Sequence, residues 1–67
     1  MTDEKMLKQK IDESGLKIYF IAKKIGISYQ GLLNKMRNES EFKASEIQAL
    51  SEILRLSAEE KMKIFFA

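Results

Sequence analysis

The sequence contains no cysteine, no histidine and no proline, and only three glycines in 67 residues. Without cysteine there is neither a disulfide nor a thiolate metal site. Without histidine the commonest general base and metal ligand is missing. Carboxylates alone could still catalyse, yet nothing gathers the acidic residues into one site, and no glycine-rich phosphate loop is present. Neither an enzyme nor a bound cofactor is expected. Proline's absence, together with apolar residues recurring three and four apart, argues for an all-helical chain. No apolar run reaches the roughly 18 residues needed to span a membrane. The opening Met-Thr-Asp-Glu-Lys has mixed charge and no apolar segment behind it, unlike a signal peptide. A cytoplasmic protein is the expectation.

A chain of 67 residues makes one domain, near the lower size limit for folding without staples. Its formal net charge of +2 conceals an asymmetry. Residues 1–38 hold eight basic and four acidic side chains, whereas residues 39–67 hold four basic and six acidic. Such a bias favours a polyanionic partner on the N-terminal side.

The apolar spacing predicts five helices. Met6, Leu7 and Ile11 form the stripe of a first helix from about Asp3 to Ser14, capped by Thr2 or Asp3 and stopped by Gly15. Glu4 and Lys8 stand at the favourable i,i+4 spacing within it. A second helix runs from Lys17 or Ile18 to Ile25. It is so apolar that Tyr19 and Phe20 are expected to wedge against the first and fifth helices, with Ile18 or Tyr19 left partly exposed. A third runs from about Tyr29 to Arg37, and Asn38-Glu-Ser-Glu41 forms a polar loop. The fourth spans about Ala44 to Arg55 with the stripe Ile47, Leu50, Ile53 and Leu54, capped by Ser45 or Lys43. Ser57-Ala-Glu-Glu60 is a capping box for the fifth, which reaches about Phe65. Phe65 and Phe66 are adjacent and cannot both face one core. One of them is therefore a candidate for an interface with a second copy.

The stretch Ile21 to Met36 organises the rest. Ile21 and Ile25 share a helix face, and Gly26 can enter the left-handed conformation that ends a helix. Ser28 can cap the next helix, which Leu32 and Met36 turn inward. Ala22 lets the two helices cross closely. This is a helix-turn-helix unit.

The order Ile-Ala-Lys-Lys-Ile-Gly-Ile-Ser over residues 21–28, followed by Leu32 and Met36, resembles the helix-turn-helix of the phage repressor, Cro and Xre family. Glu46-Ile-Gln-Ala-Leu50, Ile53-Leu-Arg-Leu56 and the terminal Ile64-Phe-Phe-Ala67 are similar to small prophage-borne members. The resemblance runs from Leu7 to Ala67. It implies an all-α, compact five-helix bundle of the lambda-repressor-like kind. Its third helix would enter the DNA major groove, usually as a homodimer on a two-fold operator. That function would make the protein a bacterial, nucleoid-associated transcriptional regulator, and most simply a repressor.

The resemblance assigns base contact to Tyr29, Gln30 and Asn34. Glutamine and asparagine can each pair bidentately with adenine in the major groove, and Leu33 could touch a thymine methyl. Lys17, Ser28, Lys35, Arg37, Asn38 and Lys43 are the expected phosphate contacts, with Lys23 and Lys24 simply solvated. About five such contacts predict a log–log salt slope of roughly −4 to −5. Where many relatives carry a polar phosphate-binding residue at the start of the second helix, this chain has Ile18. Ile18, Tyr19, Tyr29 and Leu33 could thus form an apolar patch, and such patches bind protein. The alternative function is that of an antirepressor, a small helix-turn-helix protein gripping another repressor.

Overall fold

The computed structural model describes residues 1–66, and Ala67, where the resemblance ends, lies outside the described residues. The chain forms five helices: α1 (Glu4–Ser14), α2 (Ile18–Ile25), α3 (Tyr29–Met36), α4 (Ala44–Ile53) and α5 (Ala58–Phe65). The expected all-α five-helix bundle is what the chain forms. α3 and α4 stop slightly earlier than the spacing suggests.

Each helix sends one aliphatic side chain to complete burial: Leu7, Ile21, Leu32, Leu50 and Ile64. Around them pack Ile11, Ala22, Met36, Ile47 and Phe65. Fully burying side chains of this size is worth about 1.5–3 kcal/mol each. α2 lies at the centre, packed against both α3 and α4, while α1 pairs with α5.

Local chemistry sets the boundaries. The Asp3 carboxylate accepts the Met6 N–H at 3.0 Å, so Asp3 rather than Thr2 caps α1. Ser57 and Glu60 complete the reciprocal box at α5: Glu60 Oε1 accepts the Ser57 N–H at 2.9 Å, and Ser57 Oγ accepts the Glu60 N–H at 3.1 Å. At α4 the cap position is Lys43, not Ser45. An ammonium cannot accept a hydrogen bond, so only half a box forms there, with Glu46 Oε1 accepting the Lys43 N–H at 2.8 Å.

Three helix ends share one device, a left-handed residue that lets the next N–H reach back five residues. Gly26 (φ 83°) sends the Ile27 N–H to the Ala22 carbonyl, and Asn38 (φ 64°) sends Glu39 to Asn34. Arg55 (φ 54°) does the same, sending Leu56 to Ser51.

Two expectations fail for identifiable reasons. Tyr19 and Phe20 do not wedge into the core but stand 62% and 41% exposed. The inward positions of α2 are Ile18, Ile21, Ala22 and Ile25, a complete 3,1,3 stripe, which leaves the two aromatics on the other side. Glu4 and Lys8 form no ion pair; the acids that find cations are Glu13 and Glu60 with Lys10, Glu46 with Lys35, and Glu59 with Lys63. The Lys10–Glu60 pair ties α1 to α5. Hydrogen bonding between the two holds the Lys10 pKa up and the Glu60 carboxyl down.

Candidate nucleic-acid interface

The α2–α3 corner builds the candidate surface. Gly26 reverses the chain, and Ile27, half-buried on the core, anchors the turn. Ser28 then caps α3, its Oγ accepting the Gly31 N–H at 2.9 Å. A Cβ on Gly31 would stand only 2.9 Å from that oxygen, so glycine there protects the cap. With Leu32 and Met36 buried, the opposite side of α3 faces outward.

That outward side carries most of the expected base readers. Tyr29 is half-exposed at 50% and Gln30 is exposed, while Asn34 is partly so. Gln30 Nε2 donates to Asn34 Oδ1 at 2.9 Å, joining the two amides into a single polar edge. Leu33 departs from its expected place: it is half-buried and packs against the core, so little of it remains for a thymine methyl or an apolar patch. Ile18 is likewise half-buried against the core. The expected four-residue patch therefore reduces to the two tyrosines, with Phe20 as a third exposed ring.

The phosphate-contact set divides. Lys17, at the N-terminal end of α2, is exposed and makes no capping bond with its side chain. Arg37, just past α3, and Lys43, at the start of α4, are exposed as well. Ser28 is exposed, and its hydroxyl proton stays free because the oxygen only accepts in the cap.

Lys35 and Asn38 are committed elsewhere. Lys35 Nζ lies 2.5 Å from Glu46 Oε1, with the two side chains only 14% and 8% exposed. It holds α4 instead of pointing at solvent. Asn38 is bound to Thr2 in both directions: its Oδ1 accepts the Thr2 N–H and its Nδ2 donates to the Thr2 carbonyl, each at 2.9 Å. The next residue, Asp3, donates its N–H to the Ile64 carbonyl at 2.6 Å. Asn38 thus seals the start of the chain against the bundle.

From Gly15 to Asn38 the chain carries no acidic residue, so Lys17, Lys23, Lys24 and Arg37 add to one another without a local counter-charge. Lys24 sits 5.8 Å from the centroid of the Phe20 ring, a cation–π contact on exposed surface.

Glu46 is the residue that sequence reasoning missed. Burial pushes its carboxyl up, but the hydrogen bond from Lys35 and the Lys43 N–H outweigh it, and the net result lies below the usual glutamate value. It and Lys35 lie on different helices, so no spacing within one helix pairs them. Its sequence signals are its place three residues after the candidate cap Lys43 and beside the α4 stripe at Ile47.

The interface candidates at the end of the chain separate too. Phe65 is 4% exposed and stacks edge-on against Phe42, with ring centroids 5.4 Å apart and planes at 83°. It belongs to the core and is not free to join an interface. Phe66 is 56% exposed and borders a groove of about 340 Å³ whose walls include Phe42, Ile47 and Asn38.

Among the described residues, no cluster of acidic groups is arranged to hold a metal, and no helix is long and apolar enough to cross a membrane. Compared with protein-family models, curated proteins and solved structures, the chain matches none.

Proposed function

We propose that the protein is a sequence-specific DNA-binding regulator of the phage repressor type, most simply a repressor, with α3 in the major groove. The observation that carries this reading is the exposed Gln30–Asn34 amide edge on a capped helix whose other side is buried, within a stretch free of acids. A helix fits the major groove of B-DNA, and paired amides present the donors and acceptors that adenine matches. Tyr29 adds a hydroxyl and a ring face beside them. Lys17, Arg37 and Lys43, with Ser28, flank the reading face and would hold the backbone without reading sequence. A homodimer on a two-fold operator follows from the same likeness, and exposed Phe66 beside its groove is the contact we assign to it. Mobility-shift titration against the duplex upstream of its own gene tests the reading; absence of any shift at low salt ends it.

A second reading rests on a separate observation, the exposure of Tyr19, Phe20 and Tyr29. Three bare rings suit a protein partner, such as another repressor, better than solvent. That complex would survive high salt. Because Leu33 packs inward, Tyr19→Glu is the change that should abolish it; a complex that forms normally with this variant removes the second reading.

A further inference from the structure

We propose that Glu46, which lies on α4 and not on the reading face, is a positioning residue for DNA recognition. With one oxygen it would set where the α3 readers stand relative to Lys17 and Lys43, the phosphate contacts at the starts of α2 and α4. The inference rests on the DNA-binding reading above.

α3 packs chiefly on α2, while α4 packs on α2 as well, so the two share the core without being closely apposed. Between them runs the exposed segment that carries Arg37 and Lys43. The Glu46 carboxylate spans this gap. Its Oε1 takes the Lys35 ammonium at 2.5 Å and the Lys43 N–H at 2.8 Å. One contact fixes the last turn of the reading helix, and the other fixes the cap residue of the next helix. Asn38 completes the frame by binding Thr2 in both directions at 2.9 Å.

The pair is nearly buried, so neither charge can lose its partner without leaving the other uncompensated. The relaxation open to Lys35 is to swing its flexible stem toward solvent. That would free α3, with Arg37 at its end, to tilt on α2, and the Gln30–Asn34 edge would move relative to Lys17 and Lys43. Phosphate contacts tolerate such a shift, because any stretch of backbone offers the same charge. Base contacts do not, since they depend on direction. Loss of the tie should therefore reduce discrimination between sequences more than it reduces general affinity.

The experiment is a set of anisotropy titrations of the full chain at two salt concentrations. One duplex is the region upstream of its own gene and the other is the same bases shuffled. Lys35→Met and Glu46→Gln should each lower the preference for the upstream duplex about ten-fold while leaving the salt slope unchanged. The double variant should be no worse than either single one, and Lys35→Arg should behave as the unaltered protein.

A Lys35→Met variant that flattens the salt slope by about one, with an effect that adds to that of Glu46→Gln, overturns the proposal and makes Lys35 a phosphate contact. Unchanged preference in every variant also overturns it. If circular dichroism shows Lys35→Met to be unfolded, Lys35→Gln, which keeps a hydrogen-bond donor, takes its place in the cycle. Failure of the unaltered chain to bind either duplex is a different result: the DNA reading falls, and this inference falls with it.

Discussion

Gln30 and Asn34 are joined side chain to side chain at 2.9 Å along the exposed edge of α3. On the proposed DNA reading the bond makes them one recognition unit, since moving either amide re-aims the other. Replacing either by alanine should lower discrimination for the operator by about 1–3 kcal/mol, and the two losses should not add. Both positions carry solvent-accessible surface, so unfolding stability should stay within about 0.5 kcal/mol. Titration on matched and shuffled duplexes, beside urea unfolding, reads both quantities.

Gly26 and Arg55 occupy the same left-handed conformation at the ends of α2 and α4. Nothing lies within 4 Å of a Cβ placed on Gly26, so an alanine there meets only backbone strain. Gly26→Ala should destabilise by about 1–2 kcal/mol, and Arg55→Gly should stabilise by up to about 1 kcal/mol. Urea midpoints with an unchanged slope would bear this out.

These two positions also mark how far the sequence could be read. Gly15, Gly26, Ser28 and the Ser57–Glu60 box announced their helix ends, because each is a residue type with one strong local use. Asn38 and Arg55 do the work of glycine without being glycine; the polar loop at Asn38 is legible in sequence, but its left-handed conformation and the turn at Arg55 are not. The excess of apolar residues in α2 implies that Ile18 or Tyr19 is partly exposed, as Tyr19 is; that Phe20 stands outside as well follows only from the burial of Ile21 and Ala22, which fill the inward face. Lys35 was legible as a cation, but its commitment to Glu46 depends on how α3 and α4 meet, and no local spacing encodes that. The outward residues Gln30 and Tyr29 were legible because Leu32 and Met36 fix the opposite side.

Glu46 sets part of the acid response. Its carboxyl is held below the ordinary value of 4.5, so the unfolded chain binds a proton there more readily than the folded one. The stability it contributes is therefore fully present above pH 4.5 and is lost as pH falls through its lowered folded-state pKa. In Glu46→Gln that component should vanish, and the acid limb of a stability–pH curve should flatten. An acid limb identical to that of the unaltered chain would place the sensitivity in other carboxylates.

Phe65 and Phe66 should respond oppositely to truncation. Phe65→Ala removes a ring packed on Phe42 and should destabilise by about 3–5 kcal/mol. Phe66→Glu leaves the core intact, so it should retain the fold while shifting a dimer toward monomer. Sedimentation together with thermal unfolding separates the two effects; a Phe66→Glu protein with unchanged oligomeric state would remove Phe66 from the interface.

The central claim is that the α2–α3 surface binds duplex DNA, and its most direct test is affinity measured against salt. With Lys35 tied to Glu46 and Asn38 tied to Thr2, the charged candidates left for phosphate contact are Lys17, Arg37 and Lys43. For one protomer on one half-site these three give a log–log slope of about −3, shallower than the −4 to −5 expected from about five contacts, because Lys35 is withdrawn and Asn38 is neutral. Titrating the duplex upstream of its own gene between about 50 and 200 mM salt should show binding that weakens with that slope and exceeds binding to a shuffled duplex. No binding at the lowest salt, or equal binding to both duplexes, would contradict the account.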